Sequence, residues 1–316
     1  MRILLRFGQI GDLVTSVMTS KALGIPLYHT PNYLTFLFPR RYQKQCRDAM
    51  YMANLISHKL EHPVNEINLN SLRRLSVDVG RVDVLLLVQS PTRWSAMLVL
   101  AMRVFRRIRV SILYDGAQWF YSTLSSNNLK VKLHFSKLSS DSCLNVCINW
   151  DGKEEEKNLS NNSIHEIVSI IRSRFIGARI TISGKKRCEI QIEDVTNVSG
   201  EITLSEALSL IDSADLLITC DTGPLHYAAA RGVWTIAFVA ARYPLAIWYP
   251  FSDHVAVISD LLIDCRQRSC SHCSSAQNYC VNGDGPLREF SVFFNNEGTQ
   301  SYLFQNSDSP FQTKQR

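Results

Sequence analysis

No stretch of this chain approaches the roughly 18 consecutive apolar residues that a membrane-spanning helix requires. The nearest, Trp94 to Met102, is far shorter and is flanked by Arg93 and Arg103. The opening Met-Arg-Ile-Leu-Leu-Arg-Phe-Gly is too brief for the apolar core of a secretion signal, and no small-residue cleavage site follows. An Asp-x-Asp pair, which would hold a nucleotide's metal, is absent. Charge of one sign is scarce as well: 34 Lys and Arg against 28 Asp and Glu leave a formal net charge of +6. The chain therefore reads as cytoplasmic, with peripheral contact with the inner membrane left open and no nucleic-acid partner expected. So mild an excess tolerates phosphate groups, a nucleotide or an acidic membrane surface without demanding one.

What is present is apolar material for two cores. Hydrophobic residues make up 46% of 316 positions, and that length favours two α/β domains. Ile3–Phe7 reads as a strand, followed by Gly8-Gln9-Ile10-Gly11-Asp12. Leu13, Val14, Val17, Met18 and Leu23 then recur at helical spacing until Gly24 and Pro26. Strand, glycine turn, helix is the opening of a doubly wound α/β domain. Further strands are expected at Val82–Val88, Val110–Tyr114, Leu144–Trp150, Arg179–Ser183, Leu216–Cys220 and Trp234–Val239. Helices are expected near Arg93–Phe105, Ile164–Phe175, Leu204–Ser213 and Leu225–Ala230. The polar segment Asp151–Asn162 marks the expected boundary, giving domains over 1–148 and 149–289, with 290–316 a polar, disordered tail.

The run Leu204 to Ala230 carries the strongest chemical signal. An apolar strand delivers Asp221 to the carboxyl edge of its sheet, where open α/β sheets bind ligands. Thr222 and Gly223 make the turn, and Pro224 fits the first helical turn because its missing N–H costs nothing there. The helix that follows aims free N–H groups and its positive end at the turn, which suits a diphosphate. Asp221 suits ligand hydroxyls, or the orientation of His226, better than phosphate. A plain strand–turn–helix connection with an Asp or Thr cap accounts for the same spacing.

The Asp-Thr-Gly-Pro-Leu-His segment followed by Ala-Ala resembles the donor-site signature of glycosyltransferase family 9, the heptosyltransferase type. The opening Ile-Leu-Leu-Arg-Phe-x-x-x-Gly-Asp resembles that family's first strand and catalytic loop. The resemblance implies a GT-B architecture, two Rossmann-like doubly wound lobes facing across a cleft, with the acceptor in the first and the nucleotide sugar in the second. It implies inverting transfer with no cofactor required for catalysis, of heptose from ADP-heptose onto a lipopolysaccharide core or other glycolipid acceptor. Asp12 then matches the catalytic general base, with Gly8, Gln9 and Gly11 as the acceptor-side loop. Lys157 matches the cation on the donor phosphates. Thr222, Gly223 and Leu225 line the phosphates with backbone N–H groups, and Asp221 and His226 contact the donor. A helix cap at Asp12 and a solvated Lys157 paired with neighbouring glutamates are the plainer readings. A protein (adhesin) acceptor and a non-catalytic nucleotide-sugar binder are the alternative functions, and Asp12 argues against the second.

Three features stand outside that pattern. Gly184-Lys185-Lys186-Arg187 occupies the place where heptosyltransferases can carry a glutamate for the ribose, and three cations favour extra phosphate. Arg103, Arg106, Arg107 and Arg109 form a basic cluster, either a solvated helix face or a surface for acidic headgroups. Of nine cysteines, Cys46, Cys143, Cys147, Cys188 and Cys220 are scattered and read as buried thiols. Cys265, Cys270, Cys273 and Cys280 have spacing suited to a structural zinc or iron, with unligated thiols or disulfides as the other readings.

Overall fold

The computed structural model describes residues 1–7, 10–30, 36–37, 39–88, 102, 107–114, 129–132, 143–152, 155–239, 254–258, 281, 284–295 and 299–302. The chain divides into two compact units, Met1–Ser122 and Thr123–Arg316.

The first unit holds strands β1 (Arg2–Phe7), β2 (Leu27–Thr30), β3 (Val64–Glu66), β4 (Val82–Val88) and β5 (Ile108–Tyr114). Among them run helices α1 (Ile10–Leu23), α2 (Gln43–Lys59) and α3 (Leu69–Asp78). The sheet order is β3-β2-β1-β4-β5 and every pairing is parallel. Its central strands are apolar because parallel sheets are covered on both faces. Ile3 and Leu5 join Val82, Val84, Leu86 and Ile108 in one core layer. Leu4 and Arg6, one residue out of phase, belong to the opposite face, and both are buried.

The second unit holds β6 (Leu129–Lys132), β7 (Asn145–Asn149), β8 (Arg179–Ser183), β9 (Val195–Asn197), β10 (Leu216–Cys220), β11 (Trp234–Phe238), β12 (Val255–Ile258) and β13 (Thr299–Tyr302). Its helices are α4 (Asn161–Arg174), α5 (Leu204–Asp212), α6 (Gly223–Arg231) and α7 (Asp284–Asn295). Six strands form a parallel sheet in the order β12-β11-β10-β7-β8-β9; β6 and β13 pair separately and antiparallel. Both large sheets thus start at a central strand, wind outward one way, then cross back. The reversal lies between β1 and β4 in the first and between β7 and β10 in the second. Carboxyl edges at such reversals are where ligands of doubly wound sheets sit.

The strands expected at Val82–Val88, Arg179–Ser183 and Leu216–Cys220 have those bounds. Two boundary readings are corrected. Strand β7 lies inside the second sheet between β10 and β8, so a division at 148/149 would cut it from its partners. The charged segment after it is a loop at that sheet's carboxyl edge. Nor does a tail begin at residue 290: helix α7 buries Leu287, Phe290, Phe293 and Phe294. Phe290 packs 5.6 Å from Phe238 and 4.8 Å from Phe294, ring centre to ring centre. Aromatics at helical spacing outweigh the polar composition around them. The helix expected over Arg93–Phe105 lies outside the described residues except for Met102, which is buried.

Candidate functional site

At the carboxyl edge of the first sheet, β1 ends and α1 begins, placing Asp12 in the first helical turn. An acidic group there is favoured by the positive end of the helix. Arg6, at the end of the buried stretch of β1, donates from Nη2 to Asp12 Oδ1 at 2.5 Å. The Arg6 side chain is 2% exposed and that of Asp12 is 20% exposed, so the guanidinium is the inner partner and the carboxylate the outer. His29 stands in register with Arg6 on β2 and is 1% exposed. Neither of its ring nitrogens has a hydrogen-bond partner among the described residues. Burial first, and the Arg6 charge second, pull its pKa from 6.5 down to about 4, so the ring is neutral near pH 7.

The second sheet's reversal point carries a longer polar arrangement. A single 3-10 turn, Glu155–Lys157, follows β7 and brings Lys157 to the end of β10. There its Nζ donates to Asp221 Oδ2 at 3.0 Å, with side chains 15% and 5% exposed, respectively. Here the carboxylate is inner and the cation outer. Lys157 thus meets an aspartate 64 positions away, while Glu155 accepts from Lys186 at 2.8 Å. Helix α6 starts immediately after Asp221. Thr222 is its N-cap residue in extended backbone, yet its side chain makes no capping bond to the helix. Instead the hydroxyl donates back to the Cys220 carbonyl at 3.3 Å. Pro224 occupies the first turn as its chemistry favours.

Two glycines are needed for this edge to close. A Cβ on Gly152 would lie 2.5 Å from Thr222 Cγ2, and one on Gly184 would lie 2.5 Å from Trp150 Nε1 and 2.7 Å from Asp151 Oδ1. Asp151, buried, accepts the backbone N–H groups of Lys185 and Lys186, each at 2.8 Å. This carboxylate pins the turn after β8 beside the turn after β7. Sequence reading missed Asp151; its one signal was position, since it follows the first strand of the second sheet as Asp12 follows that of the first. Two of the three cations of the Gly184–Arg187 turn have carboxylate partners: Lys186 pairs with Glu155 and Arg187 approaches Glu201 at 4.0 Å. That pairing weakens the case for an extra phosphate there.

The sequence candidates therefore gather at two edges. Asp12 and Gly11 stand at the first; Lys157, Asp221, Thr222, Gly223 and His226 stand at the second. The Leu225 side chain is buried in the core, which leaves only its backbone for a ligand. Gly8, Gln9, Arg103, Arg106 and the cysteines at 265, 270, 273 and 280 lie outside the described residues. Among the described residues no group of His, Cys, Asp and Glu is arranged to hold a metal. Arg107 and Arg109 are exposed at the amino end of β5, the opposite edge of that sheet from Asp12. Of the scattered cysteines, Cys147, Cys188 and Cys220 are buried, Cys46 is half-buried and Cys143 is exposed. Burial raises the Cys147 thiol to about 11, as suits a small hydrophobe rather than a nucleophile. A cavity of about 800 Å³ opens at the amino edge of the second sheet, near Asn145, Arg179 and Ile176. Buried Val146, Cys147 and Ile180 line it together with exposed Asn145, Ile176 and Arg179, whereas the buried polar groups Asn149, Asp151, Ser183 and Asp221 stand at the carboxyl edge.

Residues 181–278 match the family model for glycosyltransferase family 9 (heptosyltransferase). This segment of the second unit is similar to that family. That span opens within β8 and contains the whole of β10, Asp221 and α6. Asp12 and Lys157 precede it. Among solved structures, a glycosyl transferase family 9 protein from Veillonella parvula shares the fold with a TM-score of 0.52 and 12% identity, over 93% of this chain and 96% of that one. E. coli heptosyltransferase WaaC with ADP-2-deoxy-2-fluoro heptose gives a TM-score of 0.46 at 13% identity, over 93% and 100%. E. coli ADP-heptose lps heptosyltransferase II gives 0.44 at 13%, over 93% and 99%. No curated protein matches the chain in sequence. The two doubly wound sheets are those of the GT-B class, as the resemblance implied. Among the described residues no helix is long and apolar enough to cross a membrane.

Proposed function

We propose that this protein transfers a heptose from ADP-heptose, with inversion, onto a hydroxyl of a lipopolysaccharide core or related bacterial glycan. The observation that carries the reading is the Lys157–Asp221 pair at the open N-terminus of α6, inside and beside the family 9 match. Asp221, which accepts from the ammonium, directly precedes Thr222, the N-cap of the helix. A diphosphate is the ligand such an end favours. In the reaction the acceptor oxygen attacks the anomeric carbon while the bond from that carbon to the diphosphate oxygen breaks. Asp12 takes the acceptor's proton, and the leaving ADP carries away its charge against Lys157 and the helix end. The products are the new glycoside, ADP and a proton held on Asp12. These protein groups supply the charge stabilisation, so the reading assigns no metal to the transfer step.

The reading also draws on what the similar structures are named to bind or act on, ADP-heptose among them. A glycolipid acceptor would bring the protein to the cytoplasmic face of the inner membrane as a peripheral visitor. The test is a thermal-shift panel of nucleotide sugars followed by a transfer assay on the stabilising donor. At about 100 times its dissociation constant a donor stabilises the fold by roughly 2.7 kcal/mol. Stabilisation by ADP-heptose with transfer to a core oligosaccharide is the expected result. A response confined to UDP- or GDP-sugars would overturn the donor assignment.

A further inference from the structure

We propose that Arg6 is a positioning residue for the Asp12 base, a buried cation that fixes where the carboxylate stands without touching substrate itself. The inference rests on the functional reading above and deepens it. A base must sit within hydrogen-bond reach of the proton it removes, and a displacement of an ångström in a catalytic group costs about 100-fold in rate.

Arg6 supplies the anchor. It comes from a central strand with parallel neighbours on both sides, β2 and β4. Its side chain is almost completely enclosed and its Nη2 reaches Asp12 Oδ1 at 2.5 Å. A guanidinium is planar and rigid at its head, so a buried one sets direction as well as charge. Because the arginine is enclosed and the aspartate is partly exposed, the pair has a fixed end and a presented end.

His29 explains how the cation is tolerated so deep in the sheet. It lies beside Arg6 in register, enclosed, with its ring nitrogens unpartnered among the described residues. A protonated ring would set a second buried cation against the guanidinium, and its pKa near 4 keeps the proton off. Glu66, in register with His29 on β3, is exposed, with its own carboxyl pushed upward by partial burial. Arg6 from β1, which lowers the pKa of that ring, and Asp12 from α1, which raises it, are the charges that act on it.

The test compares wild type, Arg6→Gln, Arg6→Lys and Asp12→Asn as full-length proteins, reading kcat, donor KM and thermal midpoint. Arg6→Gln should lower kcat about 100-fold with donor KM within about twofold, and Arg6→Lys should recover about tenfold of that loss. A merely structural role would lower the midpoint and the active fraction without separating glutamine from lysine. Should Arg6→Gln not fold, Arg6→Lys decides: folded and about tenfold slower supports positioning, and folded with wild-type kcat overturns it. Equal kcat for folded Arg6→Gln and wild type also overturns it, while leaving the function intact if Asp12→Asn is slow. A wild type that turns over no nucleotide sugar overturns the functional reading itself and the proposal with it.

Discussion

The two sheet edges carry the same kind of object built in opposite senses. At the end of β1 an enclosed arginine holds a more exposed aspartate, with side-chain exposures of 2% and 20%. At the end of β10 an enclosed aspartate holds a more exposed lysine, with exposures of 5% and 15%. In each pair the inner group is fixed by the sheet and the outer group lies nearer the surface. One edge therefore presents a negative charge and the other a positive one. A transfer reaction needs both: a base for the incoming hydroxyl and a cation for the departing diphosphate. The helix ends repeat the contrast. Helix α5 closes its N-terminus with a capping box from Thr203 and Glu206, whereas the side chain of Thr222 turns away from α6. The difference teaches that burial order and capping, more than residue type, separate a structural feature from a presented one.

The largest way to break the comparison is at the first edge. Asp12→Asn should lower kcat by about 10²- to 10⁴-fold, the range for losing a general base, with ADP-heptose affinity unchanged by calorimetry. At the second edge, Lys157→Met should lower kcat/KM by about 10²-fold or more, the scale for losing one stabilising charge at a leaving group. Donor affinity should fall with it, and steady-state kinetics with the same donor checks both.

Acid stability sharpens the comparison further. The His29 pKa is depressed on folding, so between about 6.5 and about 4 the unfolded chain binds a proton that the folded chain does not. Stability is therefore full above pH 6.5, falls as pH drops through that window, and levels off below about 4. The loss is on the order of 3 kcal/mol, read by urea denaturation at several pH values. His29→Asn should flatten that dependence. The smallest effect belongs to the caps. Thr203→Ala should cost about 1 kcal/mol of stability, as removing a used cap does, and Thr222→Ala only a few tenths. Thermal midpoints of the two variants decide it.

How much of this was legible in the chain follows from how local each signal is. Strands β4, β8 and β10 were readable because each is a short apolar run bounded by turn formers. The β10–α6 turn was readable because Pro224 and Gly223 serve a helix start within a few residues. Asp12 and Asp221 could be named for the same reason. The pairings could not: Lys157 was named only through the family resemblance, and its bond to Asp221 spans 64 positions. Arg6 looked like an ordinary strand residue until its burial and its bond to Asp12 were seen. Composition misled twice. The acidic stretch after Trp150 resembled a linker but carries a 3-10 turn whose Lys157 bonds Asp221, and the polar residues after 290 hid aromatics at helical spacing.

The central claim is that each edge presents its outer group, the carboxylate at β1 and the ammonium at β10. Titration calorimetry of ADP-heptose into wild type, Asp12→Asn and Lys157→Met tests it most directly. The account expects donor affinity to drop at least tenfold for Lys157→Met and to stay within about twofold for Asp12→Asn. Equal losses in the two variants, or none in either, would contradict it.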